Sequence, residues 1–224
     1  MKEYFKEALK DSLTIFPGYM ILGMGFGILL KAKGYGFLAC GLMSVFIYAG
    51  SMQYVGIDLI STGASIITTF FVTIVVNIRH LFYGIGMLER YQKLKSFKIY
   101  DIFALTDETF SIVCNKKDKE DDYYFYISVL NQSYWVIGSL IGNILGNIIP
   151  FDYTGIDFSM TALFVVIVIS KWESDSDHLP VIMSFIISVI CLFIFGSNNF
   201  LLPSMIGIVV FLFILRRYRG DTNA

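Results

Sequence analysis

The sequence predicts an all-α fold, a polytopic bundle of transmembrane helices, and three observations carry that prediction. Of the 224 residues, 56% are hydrophobic and only 16% are charged, whereas soluble domains sit near roughly 45–50% apolar and about 25% charged. Mean hydropathy is +0.68. The apolar residues come in long blocks rather than at amphipathic periods, and many blocks approach the ~20 residues that cross a bilayer.

The elements follow in order. The opening MKEYFKEALKDSL alternates acid and base, with Tyr4, Phe5, Ala8 and Leu9 on one side; residues 1–13 read as an amphipathic helix at the membrane interface. Apolar segments then run at Thr14–Leu30, Phe37–Ile60, Gly63–Leu88, Tyr124–Ile149, Asp157–Ser170, Leu179–Phe195 and Leu201–Leu215. Between the third and fourth, DIFALTDETFSIVC (Asp101–Cys114) is too short and too acidic for a lipid-facing span. It reads as a half-helix or re-entrant piece enclosed by protein. NKKDKEDD, Asn115 to Asp122, reads as a solvated loop. Residues 14–218 are thus one transmembrane bundle of about seven spans, and residues 1–224 a single membrane domain. Its halves can be read as an inverted repeat, each opening on an irregular Gly-rich or acidic segment.

Loop charge orients this map. With seven crossings and a returning 101–114 segment, Lys31, Lys33, Arg90 to Lys98, Lys116 to Lys119, Lys171 and Arg216 to Arg219 share one side. Lys2, Lys6 and Lys10 lie opposite, interleaved with acids. The positive-inside rule then makes the C-terminus cytoplasmic and the N-terminus external. A re-entrant first segment would bring the N-terminus inside as well.

Several function classes are excluded. No basic stripe exists to grip nucleic acid. Cys40, Cys114 and Cys191 are far apart without CxxC spacing, which argues against a disulfide framework, a metal centre or a zinc site. The glycines of GMGFGILL lack the dinucleotide spacing, so no cofactor is expected. The only histidines, His80 and His178, form no HExxH, and no nucleophile elbow is present, so the chain is not expected to be an enzyme.

What remains is a small set of polar residues inside apolar segments. Arg79 lies nine residues before Leu88, roughly 13 Å from that end of its span. It reads either as a snorkelling interfacial anchor or as a buried cation, which needs a partner or water. Thr73, Asn77, His80 and Gly84 share one helical face, while Arg79, Tyr83 and Gly86 share nearly the opposite one. Such a helix must be enclosed on both sides or unwound where the faces meet. The natural counter-charges are Asp107 and Glu108, which also read as the acidic first turn of a helix capped by Thr106. Asp107 is the expected partner of Arg79; Glu108, Asp107 and His80 are the candidates for proton coupling. In the second span Tyr48, Ser51 and Gln53 flank a plausible break at Ala49–Ser51, where freed backbone groups suit a small zwitterion. Gly138, Gly142 and Gly146 recur every four residues and read as a close helix contact.

FPGYMILGMGFGILL, MSVFIYAGSMQY, NIRHLFYG and LTDETFSIV, in that order, resemble the AzlC family over about Phe16–Ile169. These are the large subunits of bacterial branched-chain amino acid exporters. The resemblance implies a multi-pass protein of the bacterial cytoplasmic membrane. It implies export of leucine, isoleucine and valine, with a small AzlD-type membrane subunit as partner. Ser51, Gln53, Asn77, Arg79, Thr106, Asp107 and Glu108 fall inside the matching motifs and are carried over as substrate-pathway candidates, on the motif match and the cost of burying them. A channel-like permease and a non-transporting assembly subunit are the rival readings.

Overall fold

A computed structural model of the chain describes residues 2–114, 116, 119–148, 177–196 and 200–220, with single positions between 165 and 173. Among the described residues there are eleven helices and no strand: α1 (Lys2–Ser12), α2 (Phe16–Ala32), α3 (Phe37–Phe46), α4 (Gly50–Ser61), α5 (Ile66–Asn77), α6 (Arg79–Lys93), α7 (Lys98–Phe103), α8 (Asp107–Val113), α9 (Asp121–Ile148), α10 (Leu179–Phe195) and α11 (Leu201–Gly220). They fall into two units, Met1–Thr161 and Ala162–Ala224. In the second, α10 and α11 pack with Gly207 under Ile187. Segment 157–170 lies largely outside the described residues.

The first unit is built on α2 running alongside α9 in the same direction. Phe16 meets Tyr134 at one end (ring centroids 4.9 Å apart) and Gly146 meets Lys31 at the other. The glycine row makes this contact possible. A Cβ on Gly138 would stand 2.8 Å from the Met20 carbonyl oxygen, and one on Gly23 2.8 Å from that of Trp135. Small residues let two backbones approach to this degree. Asn143 then donates from Nδ2 to the carbonyls of Gly27 and Tyr35, both at 3.2 Å, so the seam is hydrogen-bonded as well as close.

Two of the apolar segments are each divided, the second beside the break expected at Ala49–Ser51 and the third where its two polar faces meet. The 37–60 stretch breaks at Ile47–Ala49, where Tyr48 adopts φ +36°. The 63–88 stretch breaks at Ile78, with α5 and α6 bent by 51°. The physical reason is the one the polar faces implied: a straight helix would turn Arg79 and Asn77 to opposite sides. No single helix among the described residues is long and apolar enough to cross a membrane. The bent pairs α1–α2 (63°) and α5–α6 reach that length and hydropathy together.

The 101–114 segment is α7 and α8, joined through Ala104–Thr106. Asp121 Oδ2 accepts from the amides of Lys95 and Ser96 at 2.7 and 3.1 Å. The chain between them therefore runs inward and returns to its starting point. Phe97 turns it, in the left-handed region at φ +56° with its ring stacked on Phe125.

Three expectations are corrected. α1, expected opposite the basic loops unless the first segment is re-entrant, lies beside one of them. Lys119 Nζ is 2.6 Å from Glu7 Oε1 and Lys116 Nζ is 3.1 Å from Asp11 Oδ2. Lys31, in turn, sits by Gly146 at the far end of α9 from Arg90 and Lys119, which were expected to share its side. The 115–122 loop is accordingly no mere solvated link, since α1 is a ready source of carboxylates for its lysines. Of the apolar side of α1, Ala8 is fully buried, while Phe5 and Leu9 stay exposed for another apolar surface.

The ion pairs of Glu7 and Asp11 with Lys116 and Lys119 latch α1 to this loop, and the latch predicts a pH response. The hydrogen bond from Lys119, more than any other contact, holds the Glu7 carboxyl below its ordinary 4.5. A depressed folded value means the contribution is whole above 4.5 and is lost as pH falls through that lower value. Spin labels at the exposed positions Lys6 and Glu120 are expected to give one narrow distance at neutral pH, broadening only under strong acid. A distribution unchanged to the lowest pH would rule the latch out.

Candidate functional site

Three helix starts converge at one point, because each of the three interrupted segments restarts there. Arg79 is the first residue of α6, Asp107 the first of α8, and Ser51 the second of α4. Arg79 Nη1 lies 2.6 Å from Asp107 Oδ2, and Arg79 Nη2 donates to Ser51 Oγ. Both charged side chains are largely enclosed, at 21% and 15% exposure. From Lys93, at the other end of α6, Arg79 is removed by roughly 20 Å of helix. That distance places the guanidinium deep in the unit rather than at its basic end.

The local electrostatics favour negative charge. The first-turn N–H groups of a helix lack intrahelical partners and carry partial positive charge. The starts of α4 and α6 have no side-chain cap, whereas Thr106 caps α8, its Oγ1 accepting from the Thr109 amide at 3.3 Å. The α8 start is also already answered by Asp107 and Glu108. A carboxylate entering the site thus finds Arg79 and two uncapped helix starts.

Behind the ion pair stands a hydrogen-bonded row. Tyr19 Oη donates to Glu108 Oε2 at 2.7 Å and lies 2.6 Å from Thr106 Oγ1; Asn131 Nδ2 donates to Thr109 Oγ1 at 3.0 Å. The Tyr48 hydroxyl is buried and has no hydrogen-bond partner, and its backbone sits in a region that non-glycine residues adopt only when surroundings force it. Trp135 closes one wall, its ring 3.1 Å from where a Cβ on Gly50 would be.

The structure therefore brings together Ser51, Arg79, Thr106, Asp107 and Glu108. It sets the other candidates apart. Gln53 is fully buried between α3 and α4, donating to Ser44 Oγ at 3.4 Å. His80 stands at 3.1 Å from the Asn77 carbonyl, its ring against Tyr83. Asn77 lines a separate, largely apolar cavity of about 460 Å³ with Met43, Met52, Gly56, Ile60 and Thr73. Because Met52 follows Ser51 and Asn77 precedes Arg79 by two, that cavity adjoins the ion pair. Tyr19, Thr109 and Asn131 were missed by sequence reasoning. No spacing rule links Tyr19 to Glu108, 89 residues on; its one signal is its place in the FPGYMILG motif.

The family model described as AzlC protein matches residues 14–149. The branched-chain amino acid transport protein AzlC of Bacillus subtilis (strain 168) is 37% identical over 217 residues, 95% of this chain and 85% of its own length. An uncharacterized membrane protein of Helicobacter pylori (strain J99) is 39% identical, with 95% of each chain covered. The inner membrane protein YgaZ of Escherichia coli K12 is 28% identical over 182 residues, 75% of this chain and 74% of its own. No solved structure matches significantly. The match across more than half the chain, and relatives of this identity over nearly its whole length, show that it belongs to the AzlC family.

Proposed function

We propose that the chain is a secondary transporter that exports branched-chain amino acids across the bacterial cytoplasmic membrane, with a small AzlD-type subunit as partner. In this reading it is a polytopic bundle of about seven spans with a re-entrant α7–α8 segment, its C-terminus cytoplasmic. The exposed apolar side chains of α5 and α10, Ile66, Ile67, Phe185 and Phe193 among them, then face lipid or the partner. The observation that carries the proposal is the enclosed Arg79–Asp107 pair at the meeting of three helix starts. Charges held this far from water are costly, and in membrane proteins they mark substrate pathways.

The chemistry suits a zwitterion. The substrate's carboxylate takes Arg79, helped by the uncapped starts of α4 and α6. Its ammonium takes Asp107 and Glu108. One ion pair opens and two form, so the exchange adds no net charge to the site. The aliphatic side chain enters the neighbouring cavity beside Met43, Met52 and Gly56, where flexible thioethers adapt to leucine, isoleucine or valine.

Cells loaded with a leucine-containing dipeptide test this directly, since hydrolysis releases leucine inside and efflux is then measured with and without the chain. Expression is expected to raise efflux, and Glu108→Gln to weaken it by removing one ammonium partner. Gly56→Leu narrows the apolar cavity, so it is expected to slow leucine efflux more than alanine efflux. Efflux unchanged by expression of the chain overturns the proposal.

A further inference from the structure

Asp101 is a carboxyl that the proposed transport chemistry leaves unused. It lies on α7, is 0% exposed, and neither of its carboxyl oxygens has a hydrogen-bond partner. Two side chains in the same condition stand around it. α7 packs against α9, whose Ser128 stands beside the Asp101 carboxyl, and against α6, which carries Tyr91. Ser128 and Tyr91 are 1% and 4% exposed, and both hydroxyl oxygens lack partners. The nearby core is apolar, with Ala8, Met87, Leu94, Leu105, Val113 and Ile127.

Three helices thus direct three unsatisfied polar groups into one dry region. Buried polar groups are almost always paired, and a buried carboxylate with no cation beside it is costly even when hydroxyls donate to it, so the arrangement calls for a ligand that cancels the charge. The charges on the surrounding elements are engaged elsewhere. Arg90 of α6 bonds Tyr124 and the Lys119 carbonyl, Lys98 of α7 bonds the Gln92 carbonyl, and Asp121 of α9 takes the Lys95 and Ser96 amides. On α1, Glu7 and Asp11 are held by Lys116 and Lys119. Tyr100 gives its proton to Gln132. A hard divalent cation requires about six or more oxygens, and Asp101, Ser128 and Tyr91 supply two carboxyl and two hydroxyl oxygens. A single proton needs no such shell. With the carboxyl as the neutral acid, its O–H donates to one hydroxyl and its carbonyl oxygen accepts from the other, and the charge disappears.

We propose that Asp101, Tyr91 and Ser128 form a proton-binding site on the inbound limb of the re-entrant segment, loaded in this conformation and emptied once in each transport cycle. This rests on the transport reading. Asp101 stands between the basic end, where Lys95 and Lys98 lie, and the Thr106 turn that meets Tyr19. Movement of α7 toward the basic end exposes the carboxyl, its proton passes to water, and the resulting carboxylate keeps α7 out until it is protonated again. Glu108, by contrast, is placed to bind the substrate's ammonium and accepts from the Tyr19 hydroxyl at 2.7 Å.

Infrared spectroscopy of the purified full-length protein reads the proton independently of transport. At neutral pH the carbonyl band of a protonated, buried carboxylic acid is expected, absent in Asp101→Asn, present in Glu108→Gln, and shifted in Ser128→Ala and Tyr91→Phe. In proteoliposomes, Asp101→Asn is expected to keep leucine exchange at zero gradient while losing about tenfold or more of the accumulation driven by a pH gradient. A band that survives Asp101→Asn, or undiminished gradient-driven accumulation in that variant, overturns the proposal. If Asp101→Asn does not fold, the band shifts in the Ser128 and Tyr91 variants decide. If the unaltered protein moves no leucine, the transport reading fails, and the band alone decides whether the site holds its proton.

Discussion

Replacing Arg79 by alanine is expected to abolish leucine efflux while leaving detectable protein in the membrane. The guanidinium answers Asp107 at 2.6 Å and reaches Ser51 as well, so its loss strands a carboxylate that is 15% exposed. Removing one partner of a buried pair costs ~3–5 kcal/mol, an upper bound for this partly exposed one, and each ~1.4 kcal/mol is tenfold. Lysine is a poor substitute, because a point charge cannot serve a carboxylate and a hydroxyl from two directions as the guanidinium fork does. The charge swap Arg79→Asp with Asp107→Arg separates function from architecture. Were the pair purely structural, the swapped protein would export normally. As a substrate site it should accumulate normally and fail to export, because the substrate's two charges would meet their own kind. Efflux restored by the swap would discard the site.

The second large effect is on the fold. Gly142→Ala is expected to separate α2 from α9 and leave little folded protein. The added Cβ would fall far inside van der Waals contact with the carbonyl oxygen of Met24, with Met24 Cα at 2.6 Å. Those neighbours are backbone, and no rotamer change relieves the clash. Overpacked cores lose ~1–3 kcal/mol when side chains can shift, and more when they cannot. The Asn143 bond to the Gly27 carbonyl would be strained in the same movement. Gly18→Ala is the control, because a Cβ there meets nothing within 4 Å and alanine favours the helix. Size-exclusion profiles and thermal melts in detergent should place Gly18→Ala with the unaltered protein and Gly142→Ala in the void or absent. Equal melting of the two variants would remove the glycine seam as the organising contact.

The glycine row shows what a sequence reveals well. A four-residue repeat of small side chains is a statement about one face of one helix, and it needs no knowledge of the partner to predict close approach. The partner itself, Gly23 and Gly27 of α2, read only as glycines that were not a nucleotide loop. The conflict around Ile78 is legible for a similar reason, since two polar faces on one apolar helix are a local contradiction, and the structure resolves it by a break rather than by enclosure of a straight helix. Side of the chain was less secure. Counting lysines assumes each loop stands free, and α1 binds Lys116 and Lys119 by ion pairs that only proximity creates.

By itself the sequence determined the helical class, the family motifs, the two polar faces that the third segment has to reconcile and the opposite charges available to one another at Arg79, Asp107 and Glu108. All of these follow from periodicity, composition or neighbours within a few residues. Tertiary structure alone decided that Ser51 joins the Arg79–Asp107 pair, that Tyr19 holds Glu108, and that Asp101 is enclosed with two unsatisfied hydroxyls. Those outcomes depend on which helix starts meet across tens of residues of intervening chain, and contact at that range leaves no trace in local spacing.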